Sequence, residues 1–161
     1  MNWFRITVLL LFFSLTNTIY SQLNNIIPTP KEQTIKNGFM LIENNPEIIT
    51  NDKFKSALTL LKNAINELNL DNDEKPKNRI KFSYNKKLDN EEYILRINSN
   101  LITISASTEN GAIFGFQSLN QLMNLNLNNG VIKLKNQEIK DSPRFKYRGM
   151  HLDVGRHMYP V

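Results

Sequence analysis

The sequence predicts an α+β fold: a small, mostly antiparallel sheet packed by two helices. Three observations carry that prediction. The stretch "EEYILRINSNLITISAS" alternates apolar and polar residues on both sides of Ser99–Asn100, the pattern of a β-hairpin. Two other stretches, 51–70 and 107–123, repeat apolar residues at steps of three and four, the period of a helix with one buried stripe. No internal repeat and no long Pro/Gly/Ser linker divides the chain.

Taken in order, "MNWFRITVLLLFFSLTNTIYSQ" has a basic start, the apolar run Ile6–Leu15 and a small residue at Ser21, the layout of a secretory signal peptide over residues 1–21. The run is shorter than the roughly 20 apolar residues of a spanning helix; an uncleaved membrane anchor is the alternative. Pro28 and Pro30 around Thr29 impose an extended backbone. Asn37–Gly38 reads as a turn before the strand "FMLI", Phe39–Ile42. Phe54, Leu58, Leu61, Ile65 and Leu68 form the stripe of the first helix, with Asn51 or Asp52 as its cap. "DNDEKPKN" is a charged loop, and "RIKFSY" is a strand with Ile80, Phe82 and Tyr84 on one face. In the hairpin, Tyr93, Leu95 and Ile97 share one face, as do Ile102, Ile104 and Ala106. Ser107 or Thr108 caps the second helix, whose stripe is Ala112, Phe116, Leu119, Leu122 and Met123. Gly111 and Gly115 keep that helix low enough to lie close on the sheet, and their context does not fit a phosphate loop. "NNGVIKL" supplies a turn and a short strand, and "NQEIKD" leads onward.

With no cysteine, the chain has no disulfide framework, thiolate nucleophile or thiolate metal ligand. The net charge of +5 comes from lysines scattered among glutamates and asparagines, a solvated surface rather than a nucleic-acid face. Export is expected, with the final location periplasmic, cell-surface or secreted, and no membrane contact beyond the signal peptide.

The densest chemistry lies in "SPRFKYRGMHLDVGRH", Ser142–His157. Its centre alternates like a strand with apolar groups on both faces, as in a parallel sheet or barrel. His151, Asp153 and His157 include metal-ligand types, but their spacing matches no common metal motif. Arg148 suits either a polar ligand, through its planar fork of donors, or an ion pair with a local carboxylate. Asp153 suits either a site at a strand's C-terminal end or a pairing with Arg156 or the next helix.

The run "DSPRFKYRGMHLDVGRHMYPV" closely resembles the segment opening the catalytic barrel of family 20 glycoside hydrolases, the β-N-acetylhexosaminidases. The match falls on Asp141, Pro143, Arg144, Phe145, Arg148, Gly149, Leu152, Asp153, Arg156 and His157. Upstream, "IIPTPKEQ" and "ISASTENGAIFGFQSLNQLM" resemble the same family's N-terminal accessory domain. The resemblance implies an accessory domain over 22–141 and, over 142–161, the first strand of a (β/α)8 barrel. It also implies hydrolysis of terminal, non-reducing β-linked N-acetylglucosamine or N-acetylgalactosamine, with retention and attack by the substrate's own acetamido group, and without metal or organic cofactor. The family's paired Asp and Glu lie downstream of Val161, so no catalytic residue is assigned here and this portion alone is expected to be inactive. Asp73–Glu74 and Glu91–Glu92 do not fit that pair's context and read as solvated surface. Arg148 aligns with a sugar-binding arginine; Asp153, Arg156 and His157 are given supporting roles. The implied partners are amino-sugar glycans: chitooligosaccharides, glycoconjugates or peptidoglycan-derived sugars. A stand-alone carbohydrate-associated or interaction domain is the other function class. The tail after Asp141 is expected to be poorly anchored.

Overall fold

Residues 26–49, 52–70 and 75–151, which the computed structural model describes, form nine elements. In chain order these are β1 (Glu32–Ile42), β2 (Glu47–Ile49), α1 (Lys55–Glu67), β3 (Arg79–Tyr84), β4 (Tyr93–Ile97), β5 (Leu101–Ala106), α2 (Glu109–Leu125), β6 (Leu127–Asn128) and β7 (Val131–Asp141). The strands make one sheet in the order β1-β7-β4-β5-β3-β2, with β6 paired to β7. The predicted signal peptide lies outside the described residues. Among the described residues, no helix is long and apolar enough to cross a membrane.

The sheet is mixed, which corrects the expectation of a mostly antiparallel one. β1–β7, β7–β4, β4–β5 and β6–β7 are antiparallel, whereas β5–β3 and β3–β2 are parallel. The β3–β2 pair is parallel because β2, a strand of three residues, is joined to β3 through α1, whereas β3 and β5 run parallel with β4 between them in the chain. A helical crossover of this kind returns the chain in the same direction. Two or three residues carry no readable alternation, so β2 and β6 are absent from the sequence reading.

Burial follows the predicted faces. Ile80, Phe82, Leu95, Ile97, Ile102 and Ile104 are almost fully enclosed and belong to one apolar cluster with Leu61 of α1 and Leu119 of α2. Tyr84, expected on the buried face of β3, is instead exposed at the strand's end, with the Lys53 ammonium 3.6 Å from its ring centroid. The Ser99–Asn100 hairpin turn forms as read, closed by Asn98 N–H donating to the Leu101 carbonyl at 3.0 Å.

The two Asn-Gly pairs behave differently. Asn129 and Gly130 both take positive φ, 49° and 78°, the conformation a two-residue hairpin turn requires between β6 and β7. Asn37–Gly38 is not a turn; it is a bulge inside the single long strand β1. Pairing passes from Ile35↔Gln137 to Phe39↔Lys135, and Gly38 relaxes the mismatch at φ 95°. The Asn136 amide fills the space beside it, donating to the Asn37 carbonyl at 3.0 Å; a Cβ on Gly38 would come within 2.7 Å of that amide nitrogen.

Helix capping was half legible. Thr108 is the N-cap of α2, its hydroxyl accepting from Gly111 N–H at 3.3 Å. Phe54, not Asn51 or Asp52, occupies the N-cap of α1 and offers no side-chain bond. The Ala57 N–H of α1 donates instead to Glu109 Oε1 at 2.8 Å. That carboxylate stands in the first turn of α2, so one negative charge serves the positive N-terminal ends of both helices.

Gly111 and Gly115 have the packing role expected of them. A Cβ at Gly111 would lie 2.6 Å from the Glu92 carbonyl oxygen, and one at Gly115 would lie 2.6 Å from Ile104 Cγ2 and 3.2 Å from the Tyr93 ring. The backbone of α2 therefore rests directly on β4 and β5. At this contact the Tyr93 hydroxyl sits 2.6 Å from Ser118 Oγ. Burial is the main influence on that phenol and pushes it up to about 12, with Ser118 opposing and Asp141 adding to the rise.

Three outcomes follow from this packing. Gly115→Ala should lower stability by about 1–3 kcal/mol in urea denaturation, because overpacking outweighs the gain of roughly 1 kcal/mol in helix propensity. Glu109→Ala should cost about 1 kcal/mol in the same assay through the lost cap. The native state also holds the Tyr93 proton to higher pH than the unfolded chain does. Its contribution is complete below pH ~10 and is lost as pH rises through about 12. Denaturation midpoints should therefore fall more steeply from pH 9 to 11 in the wild type than in Tyr93→Phe; equal slopes would contradict this account.

Candidate functional site

The candidate residues lie where β7 ends, β4 begins and α2 starts. The loop before β4 is fastened to the start of α2: Ser107 Oγ donates to the Asp89 carbonyl at 2.8 Å, and Thr108 Oγ1 donates to the Asn90 carbonyl. Asp89 N–H in turn donates to Glu92 Oε2 at 2.9 Å, and Glu92 Oε1 pairs with Lys140 of β7 at 3.3 Å. On the other side, Lys31 holds the end of β7, its N–H donating to Asp141 Oδ1 at 3.2 Å and its ammonium to Ser142 Oγ at 2.5 Å.

Arg148 comes back onto this corner. Its Nη2 donates to Glu91 Oε1 at 2.6 Å, its Nη1 donates to the Phe145 carbonyl at 2.6 Å, and its guanidinium lies 5.9 Å from the Phe114 ring centroid. The local-carboxylate alternative for Arg148 is thus the arrangement present in this structure. Glu91 and Glu92 are ion-pair partners, not the solvated surface expected of them. Sequence offered no sign of the Glu91–Arg148 pairing, since 57 positions separate the two residues. Phe114 was equally hidden, because it falls beside the helical stripe.

The described part of the motif, 142–151, forms no strand. The expected strand needs a parallel neighbour, and β7 is already paired on both edges by β1 and β4. Phe145, Tyr147 and Met150 are accordingly 72%, 90% and 87% exposed. His151 is exposed as well. Asp153, Arg156 and His157, like the adjacent acidic pair Asp73–Glu74, lie outside the described residues. Among the described residues, no group of three His, Asp or Glu side chains is placed to hold a metal. A separate depression of about 280 Å³, lined by Asn45, Ile65, Asn66, Asn69 and Leu70, shares no residue with the Arg148 corner. The corner therefore offers a guanidinium held by protein acceptors and exposed aromatic rings, without a nucleophile-and-base pair of its own.

Residues 23–142 match the family profile described as glycosyl hydrolase family 20, domain 2. A β-hexosaminidase of Porphyromonas gingivalis is 30% identical over 151 residues, covering 85% of this chain and 19% of the relative. A β-hexosaminidase of Vibrio furnissii is 38% identical over 77 residues, covering 48% of this chain and 12% of the relative. The chain thus spans less than a fifth of the length of either relative. Among solved structures, a Vibrio harveyi exo-β-N-acetylglucosaminidase in complex with N-acetylglucosamine superposes with a TM-score of 0.71 at 25% identity, over 85% of this chain and 22% of that one. A Bacteroides fragilis β-N-acetylhexosaminidase gives 0.66 at 25% identity, over 81% and 27%.

Proposed function

This chain belongs to glycosyl hydrolase family 20, and from that premise we propose that it is the front portion of an exported β-N-acetylhexosaminidase. The observation that carries this reading is the extent of the match. The family profile spans the whole sheet-and-helix unit, and the Porphyromonas gingivalis relative aligns over 85% of the chain. In this reading the described domain is a scaffold. The intact enzyme removes terminal β-linked N-acetylglucosamine or N-acetylgalactosamine from amino-sugar glycans, with the substrate's acetamido group as nucleophile and retention of configuration. That route differs from the usual two-carboxylate scheme. The apolar run Ile6–Leu15 and Ser21 support export.

The acidic pair Glu91–Glu92 is engaged with Arg148 and Lys140 and is poorly suited to deliver a proton to a glycosidic oxygen. In this reading the catalytic groups belong to the barrel of the intact enzyme and not to this sheet-and-helix domain. The 161-residue chain should release no p-nitrophenol above background from p-nitrophenyl β-N-acetylglucosaminide, whereas the product of the full coding sequence should release it steadily. Turnover by the 161-residue chain would sink the assignment of catalysis to residues beyond it. An inactive full product, tested on the galacto epimer as well, would sink the glycosidase reading.

A further inference from the structure

We infer that the outer face of the sheet, the side away from both helices, is a docking surface for an acidic amino-sugar polysaccharide. Strand register assigns the side chains to this face. Ile80, Leu95, Ile104 and Ile139 are buried in the cluster shared with α1 and α2, so the residues alternating with them lie on the opposite side. One cross-strand row there runs Lys81, Thr103, Arg96, Glu138 over β3, β5, β4 and β7. Arg79 precedes Lys81 on the same side of β3. Lys133 and Lys135 continue the face along β7, opposite Leu41 and Phe39 of β1.

The charges on this face do not cancel. Glu138 is shared between Arg96 Nε at 2.7 Å and Lys36 Nζ at 3.7 Å, and Lys140 is met by Glu92 at 3.3 Å. Glu47, opposite Arg79, and Glu32, opposite Lys140, are the other acids on this side. Arg79, Lys81, Lys133 and Lys135 are exposed and, among the described residues, form no ion pair. Along the chain these cations are scattered among glutamates and asparagines. Folding brings them to one side of the sheet, and a one-sided excess of positive charge attracts anions.

The groups between the cations select the partner. Ser83 and Thr103, both half-buried, place hydroxyls mid-sheet, where they can exchange hydrogen bonds with sugar hydroxyls. The flanking cations suit carboxylate or sulfate groups. Neighbouring strands are about 4.8 Å apart, so the backbones of Lys81 and Arg96, with β5 between them, are separated by about 10 Å. That spread fits an extended polymer better than one small anion. The exposed apolar groups of the face, Phe39 and Leu41, lie together at its β1 edge, and the Lys133 ammonium is 4.6 Å from the Phe39 ring centroid. A bilayer contact would need apolar groups projecting past the lysines, and a single-stranded nucleic acid would need open rings for its bases. That the polymer contains amino sugars rests on the glycosidase reading; the charged surface does not.

The test is a binding titration with chondroitin sulfate, a polymer of alternating N-acetylgalactosamine and uronate that carries sulfate esters. The 161-residue chain should bind it and should not bind a neutral N-acetylglucosamine oligomer above background. Affinity should fall at least tenfold between about 0.1 and 0.5 M sodium chloride. The double variants Arg79→Gln/Lys81→Gln and Lys133→Gln/Lys135→Gln should each bind about three- to tenfold more weakly, as expected for two exposed contacts. Lys55→Gln/Lys62→Gln removes the same charge from exposed positions of α1 and should bind like the wild type. All three should keep the wild-type urea midpoint, which separates a lost contact from an unfolded domain. Free chondroitin sulfate should displace the bound chain, whereas phosphatidylglycerol vesicles or poly(dT) at equal negative charge should not. Absence of binding, an equal loss in the α1 variant, or displacement by the vesicles or by poly(dT) would each overturn the proposal. Binding is read without turnover, and the p-nitrophenyl substrate is small and uncharged, so failure here is distinct from failure of the glycosidase reading.

Discussion

The contact on which the rest of this structure depends is the direct seating of α2 on β4 and β5. Gly111 and Gly115 leave no Cβ atoms between helix and sheet, and the gap they open is filled by the Glu92 carbonyl, Ile104 and the Tyr93 ring. Interiors pack too densely to absorb an extra methyl there without moving a neighbour. Because the helix sits this low, Tyr93 reaches Ser118 across the interface and Thr108 reaches the Asn90 carbonyl. From the same position Glu109 reaches across to Ala57 and caps α1, a helix with no polar cap of its own.

The corner with the candidate residues inherits its geometry from that seating. The start of α2 holds the loop before β4, and that loop presents Glu91. Lys31 and Lys140 fix the end of β7 beside it. The segment leaving the domain therefore meets a carboxylate whose place is set by the core rather than by the surface. The matched relatives are about four to five times the length of this chain.

Much of this was legible from residues alone, for a common reason. Apolar periodicity in α1 and α2, alternation in β4 and β5, the Thr108 cap and the two low glycines all act within a turn or two of sequence, so local spacing reports them. The exceptions each involve a partner far along the chain. Asn37–Gly38 has the composition of a turn, but pairing with β7 on both sides of it makes it a bulge. Asn51 and Asp52 are good capping residues, yet the cap of α1 comes from Glu109, 52 positions from Ala57. The parallel flank joins β3 to β5, a pairing that no local pattern reports, and adds a three-residue strand that has no pattern to read.

The sequence by itself determined the two-layer fold class, the buried faces and the family, because burial periodicity and a fixed-spacing motif are properties of neighbouring residues. Only the tertiary structure decided the mixed sheet order, the shared cap and the partner of Arg148. An arginine's donors bind whichever acceptor the fold brings within about 3 Å. Here that acceptor is Glu91, delivered by the loop that α2 holds in place.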